Sequence, residues 1–197
     1  MEKPSATYWR LAFNNRETAR VISRCDYDED SCDALLFRRG KRVSSEMLTQ
    51  FQFCLQAGKG PITDHVANPL GWIIWSQRLV DHLFPMIKEC VELKPITLGV
   101  EKSTTKVEGY FVVNVIRVVD CIIESMSTPR IDEDNKQHGY IDYCVDEART
   151  AGANIFKYTD STGYVDYGVT CSNQLAQSLA GKGFRGIALI KCCRRST

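Results

Sequence analysis

A pattern that occurs twice constrains the fold of this chain more than any other feature. In "GWIIWSQRLVDHL" (71–83) an apolar run breaks at Ser76, and apolar residues then fall three, four, seven and eight positions on, at Leu79, Val80, Leu83 and Phe84. After Ser172, Leu175, Ala176, Leu179 and Ala180 stand at the same offsets. Such intervals draw one stripe along a helix, and the stripe must bury itself against another layer. Each helix follows an apolar strand and runs into another, "ITLGVE" (96–101) and "FRGIALIKCC" (184–193). The pattern predicts an α+β fold: a single domain over 1–197 with a mixed β-sheet and two similar strand–Ser-capped helix–strand units.

A serine between strand and helix has two readings. The nucleophile of a serine hydrolase sits there, but flanked by glycines two residues away on each side, where this chain has Ile74 and Arg78. The S-x-x-K arrangement fails too, because Leu79 stands where the lysine belongs. An N-cap also sits there, its side-chain oxygen accepting from a free backbone N–H, typically worth ~1 kcal/mol. A cap is expected twice in one chain and a nucleophile is not. Ser76 and Ser172 are therefore read as structural, with no catalytic residue assigned. A small hydrolase using Ser76 or a cysteine is kept as the competing class.

Elsewhere the chain reads mostly as strands. These are 6–13, 19–25, the short "ALLF" (34–37), "MLTQFQFCL" (47–55), 71–75, 154–160 and 164–171. The longest apolar stretch, "GYFVVNVIRVVDCII" (109–123), is rich in valine and isoleucine and is expected as a central strand. Pro85 predicts that the first helix ends or kinks near Phe84. The segment 127–139 reads as a polar excursion, and 140–149 is open to either strand or helix.

Charge excludes one broad class of partner. With 25 basic against 24 acidic side chains the formal net charge is +1, so no global field draws the protein to nucleic acid or an anionic membrane. No run reaches the length of a membrane span, and "MEKPSATYWRLAF" lacks the layout of a secretory signal. With nine cysteines, an odd number, the expectation is a cytoplasmic protein with free thiols and no disulfide.

Few constellations carry chemistry. "DYDEDSCDALLF" begins like a calcium loop, but Ser31 and Phe37 occupy the positions that need glycine and glutamate. His65, His82 and His138 are scattered, and adjacent Cys192 and Cys193 cannot both comfortably serve one tetrahedral zinc. No phosphate-binding glycine motif appears, and "RRGKR" (38–42) reads as a solvated turn. No cofactor and no metal are expected.

From about residue 33 to 192 the order of motifs resembles the bacterial immunity-protein family of polymorphic toxin systems. The resemblance lies in "IIWSQRLVDHL", "PITLGV", "YFVVNVIRVVDCIIESMS", "NIFKYTD" and "VTCSNQLAQSLAGKGFRGIAL". Asn114, Val115 and Asp120 fall on the central motif, and Ile123 departs from it where an acidic residue is common. The resemblance implies a cytoplasmic, non-enzymatic protein that binds and neutralises a cognate toxin; a regulatory binding module on the same scaffold is the other alternative. Recognition is expected on polar loops. Asp28, Glu29 and Asp30 are the partner-binding candidates, since they concentrate one sign of charge in a balanced chain.

Overall fold

The computed structural model describes residues 8–14, 19–27, 35–58 and 60–192. The N-terminal part contains β1 (Tyr8–Phe13), β2 (Ile22–Asp26), α1 (Leu35–Arg38), α2 (Ser45–Thr49) and β3 (Gln52–Leu55). The middle runs through β4 (Ile74–Ser76), α3 (Gln77–Ile87), β5 (Val91–Val100), β6 (Lys106–Val115) and β7 (Val118–Val119). Then follow β8 (Thr128–Ile131), β9 (Gln137–Asp142), β10 (Ile155–Tyr158), β11 (Val169–Ser172), α4 (Asn173–Leu179) and β12 (Ile187–Lys191). Strands predominate and the helices are few, an α+β architecture with mixed sheets.

The strands make two five-stranded sheets, ordered β12-β1-β11-β10-β7 and β2-β3-β5-β6-β4, and a separate β8-β9 hairpin. In the second sheet β4 and β5 both pair antiparallel with β6; in the first, β11 and β12 both pair antiparallel with β1. Each serine-capped helix thus joins two strands that run the same way with a third strand between them. The buried faces of α3 (Leu79, Val80, Leu83, Ile87) and α4 (Leu175, Leu179) enter one core with Leu11, Val113, Val115, Ile155 and Val169, drawn from both sheets. A second core gathers aromatic rings around Trp72, with Phe37 at 4.2 Å and Phe51 at 4.8 Å between centroids.

Several expectations are corrected. The eighth position after each serine lies outside the stripe, since Phe84 and Ala180 are exposed. Helix α3 continues past Pro85 to Ile87; the proline occupies the exposed face and buried Ile87 holds the final turn by packing. Of "ALLF", the described residues 35–37 lie in α1 rather than in a strand. A run of four apolar residues does not fix a period, and here Gly40 closes the turn at φ +66° while Lys41 N–H donates to Leu36 O and Gly40 N–H to Phe37 O. Residues 47–55 divide between α2, capped by Ser44 Oγ on Met47 N–H, and β3. The polar excursion is the β8–β9 hairpin, whose turn is tied by Asp132 Oδ1 accepting from the N–H groups of Asp134 and Lys136.

The long apolar stretch is not one strand. It leaves the second sheet after Val115, the N–H groups of Ile116 and Arg117 both donate to Cys90 O, and it enters the first sheet as β7, parallel to β10. Because the segment is buried in both sheets, it shows no alternation.

Cysteine usage also differs from expectation. Cys54, Cys90, Cys121, Cys171 and Cys192 are free thiols, whereas Cys144 is disulfide-bonded. An odd count requires one unpaired thiol but does not forbid a bridge. Cys32 and Cys193 lie outside the described residues. Among the described residues no helix is long and apolar enough to cross a membrane.

Candidate functional site

The strand–helix junction at Ser76 is the first place to look for chemistry. The Ser76 Oγ accepts from Leu79 N–H at 3.3 Å, capping α3, and donates to Asp64 Oδ1 at 2.7 Å. Asp64 is buried, and burial alone would raise its pKa. Hydrogen bonds from Arg78 (2.6 Å to Oδ2), Arg185 N–H and Ser76 outweigh that and hold it below the usual carboxylate range. A carboxylate so saturated with donors is a poor general base, and the serine has spent its proton on it.

No histidine rescues this arrangement. His65 follows Asp64 in the chain, but its ring is buried against Phe13 and Trp75, and burial pushes its pKa down to about 3. Neither of its ring nitrogens has a partner among the described residues. His82 Nε2 meets Ser178 O at 2.9 Å, and His138 meets Asp132 at 2.6 Å in the hairpin turn. Ser172 repeats the cap with Leu175 N–H at 3.2 Å. The thiols fare no better, since burial raises Cys90, lifts Cys192 to about 11 and both Cys121 and Cys171 to about 12. Among the described residues no group of His, Cys, Asp or Glu side chains is arranged to hold a metal ion.

The structure does bring together a different set of groups. Where the stretch after β6 crosses between sheets, a cleft of about 670 Å³ opens between residues 39–41, 116–118 and 163–167. Its cations are Arg39, Lys41 and Arg117, all exposed, and none forms an ion pair with the described residues. Its aromatic wall is Tyr164 and Tyr167, with ring centroids 5.8 Å apart.

Each wall is fixed from beneath. Asn114, fully buried on β6, donates from Nδ2 to Lys41 O at 2.7 Å and to Glu92 Oε2 at 3.1 Å. Glu92 in turn holds Arg42 and Val43 N–H. At Gly40 a Cβ would lie 2.7 Å from Val118 Cγ2 and 3.2 Å from Val115 O, so the turn packs directly on the crossing segment. Arg38 donates to Leu70 O at 2.7 Å and lies over the Tyr167 ring at 5.1 Å. Lys157, buried below, donates to Tyr167 O at 3.1 Å, and burial pulls its ammonium down to about 8. On the other side Asp160 Oδ1 accepts from Thr162 and Tyr164 N–H and sets the loop that carries the tyrosines.

Asp28, Glu29 and Asp30, the candidates raised by charge concentration, lie outside the described residues. The cleft escapes a reading by motif because its cations come from segments far apart in sequence. "RRGKR" looks like a solvated turn until Asn114 ties it to β6. Ile116, Arg117 and Val118, within the central motif of the resemblance, line it, and Asn114 of the same motif ties the facing turn through Lys41 O.

No curated protein matches the chain. A family model does, that of the Immunity protein family (Imm11), over residues 8–194. The match spans both sheets, both capped helices and the cleft, and the chain belongs to the Immunity protein family (Imm11).

Proposed function

We propose that the protein is a non-enzymatic immunity protein of a bacterial polymorphic toxin system, acting in the cytoplasm by binding a cognate protein toxin and covering its active site. The family match over residues 8–194 carries this reading. It is supported by the chemistry of Ser76, whose hydroxyl is committed to Asp64 and to the cap of α3. The scaffold we read as a single domain over 1–197, made of two similar strand–Ser-capped helix–strand units that present loops to the partner. Association is steered by the acidic loop at Asp28, Glu29 and Asp30, which meets a basic toxin surface.

Co-expression with a candidate toxin taken from the neighbourhood of this gene tests the reading. Growth should be restored by the wild-type protein and by Ser76→Ala alike. Toxicity unrelieved by a well-expressed wild-type protein would refute it. With purified toxin, reversal of charge at Asp28 and Asp30 should slow association and weaken its salt dependence.

A further inference from the structure

We propose that the cleft between Arg39, Lys41, Arg117, Tyr164 and Tyr167 is a docking site for an acidic segment of the protein partner, which sets carboxylates on the cations and an apolar side chain against the tyrosines. The immunity reading enters only in making the partner a protein.

The charge arrangement argues for an anionic occupant. The chain as a whole is balanced at +1, yet three exposed cations line one cleft with no carboxylate paired to them among the described residues. The fold holds these like charges together from two separate segments. Their mutual repulsion is relieved when an anion enters.

The site is also built before anything binds. Asn114 and Glu92 anchor the turn that carries Arg39 and Lys41, and Gly40 lets that turn rest on Val118. Arg38 and Lys157 hold Tyr167 from its ring face and its carbonyl, and Asp160 shapes the loop before it. The backbone of both walls is thus set in advance, and a ligand has only the exposed side chains left to order.

Shape and composition select carboxylates on a polypeptide rather than phosphates. About 670 Å³ is far more room than one phosphate fills. The helix beside the cleft, α1, is a single turn and supplies no N-terminal anion site. A nucleic acid would need a basic stripe along its backbone, whereas Arg and Tyr around a pocket are what protein interfaces concentrate at their energetic centres.

Fluorescence anisotropy with a short fluorescein-labelled peptide of glutamates around one phenylalanine tests the site. The same peptide with glutamines and a labelled oligothymidylate serve as comparisons. The glutamate peptide should bind the wild-type protein at low salt and the glutamine peptide should not. The double variant Arg39→Glu, Arg117→Glu should weaken binding about tenfold or more, while Lys106→Glu, an exposed change elsewhere on β6, leaves it unaltered. An unchanged thermal midpoint for the double variant excludes misfolding, and Tyr167→Ala gives an uncharged second test of the same wall. Absent peptide binding, binding that ignores these substitutions, or tighter oligothymidylate binding lost in the double variant would overturn the proposal. A second arm separates it from the immunity reading. If wild type and double variant protect equally against the neighbouring toxin, immunity stands and this surface is wrong. If wild type fails to protect, immunity falls and the peptide titration still judges the cleft.

Discussion

Asp64 holds Ser76 at two points: its carbonyl accepts from Ser76 N–H at 2.9 Å and its Oδ1 accepts from the hydroxyl at 2.7 Å. Asn154 holds Ser172 through the same two atoms, at 3.0 and 2.7 Å. In each case the residue after the Asx also pairs with the residue before the serine, His65 with Trp75 and Ile155 with Cys171. Each Asx then reaches the far end of the other helix. Asn154 Nδ2 donates to Met86 O in the last turn of α3, and Asp64 Oδ2 accepts from Arg185 N–H beyond α4. The serines are therefore joints between strand, helix and neighbouring helix.

Removing either hydroxyl should act on stability alone. Ser76→Ala and Ser172→Ala each lose a cap and leave one Asx oxygen short of a donor, an effect of ~1–2 kcal/mol. Urea denaturation at neutral pH measures it. Labelling of Ser76 by a fluorophosphonate probe would contradict the structural role.

Lys157 makes a prediction about pH. Its ammonium titrates at about 8 in the fold against 10.5 for an unburied lysine. Between those values the unfolded chain binds the additional proton, so this group makes stability rise with pH across that window. Below it, the charged amine opposes folding. Denaturation curves of wild type and Lys157→Met from pH 7 to 10 should therefore show a pH-dependent difference, with the wild type gaining on the variant as pH increases.

Gly186 is tightly crowded. Its φ is +81°, and a Cβ there would stand 2.3 Å from His65 O and 2.6 Å from Thr63 Oγ1. Gly186→Ala combines backbone strain with a clash against backbone, and should lower stability by ~3 kcal/mol or more. A fall in the thermal midpoint of less than a few degrees would show that this loop yields easily.

Thiol counting checks the bridge at Cys144. Freshly purified protein, denatured without reductant, should show seven reactive thiols, the nine of the chain less the two consumed by one disulfide. Nine would mean that the bridge is absent and would agree with a reducing compartment.

The local units are legible in the order of residues alone. A serine followed by apolar residues at helical spacing specifies a cap and a buried stripe, because both depend on contacts within a few residues; α3 and α4 begin at Gln77 and Asn173 as that spacing requires. Period-2 and unbroken apolar runs likewise located β1, β6 and β12. Where those pieces go depends on contacts between distant segments. Residues 109–123 are largely apolar, interrupted by Asn114, Arg117 and Asp120, and nothing local states that Val115 closes one sheet and Val118 opens a strand in another. "ALLF" could satisfy either period until Gly40 found space against Val118. The cleft was hidden for the same reason. Arg39, Lys41, Arg117 and Tyr167 become neighbours through the carbonyl of Lys41 on Asn114 and the guanidinium of Arg38 on Tyr167. Hydrophobic period records which face of a segment leaves water, whereas a site depends on which distant segments share an edge, and that is fixed only when the whole core closes.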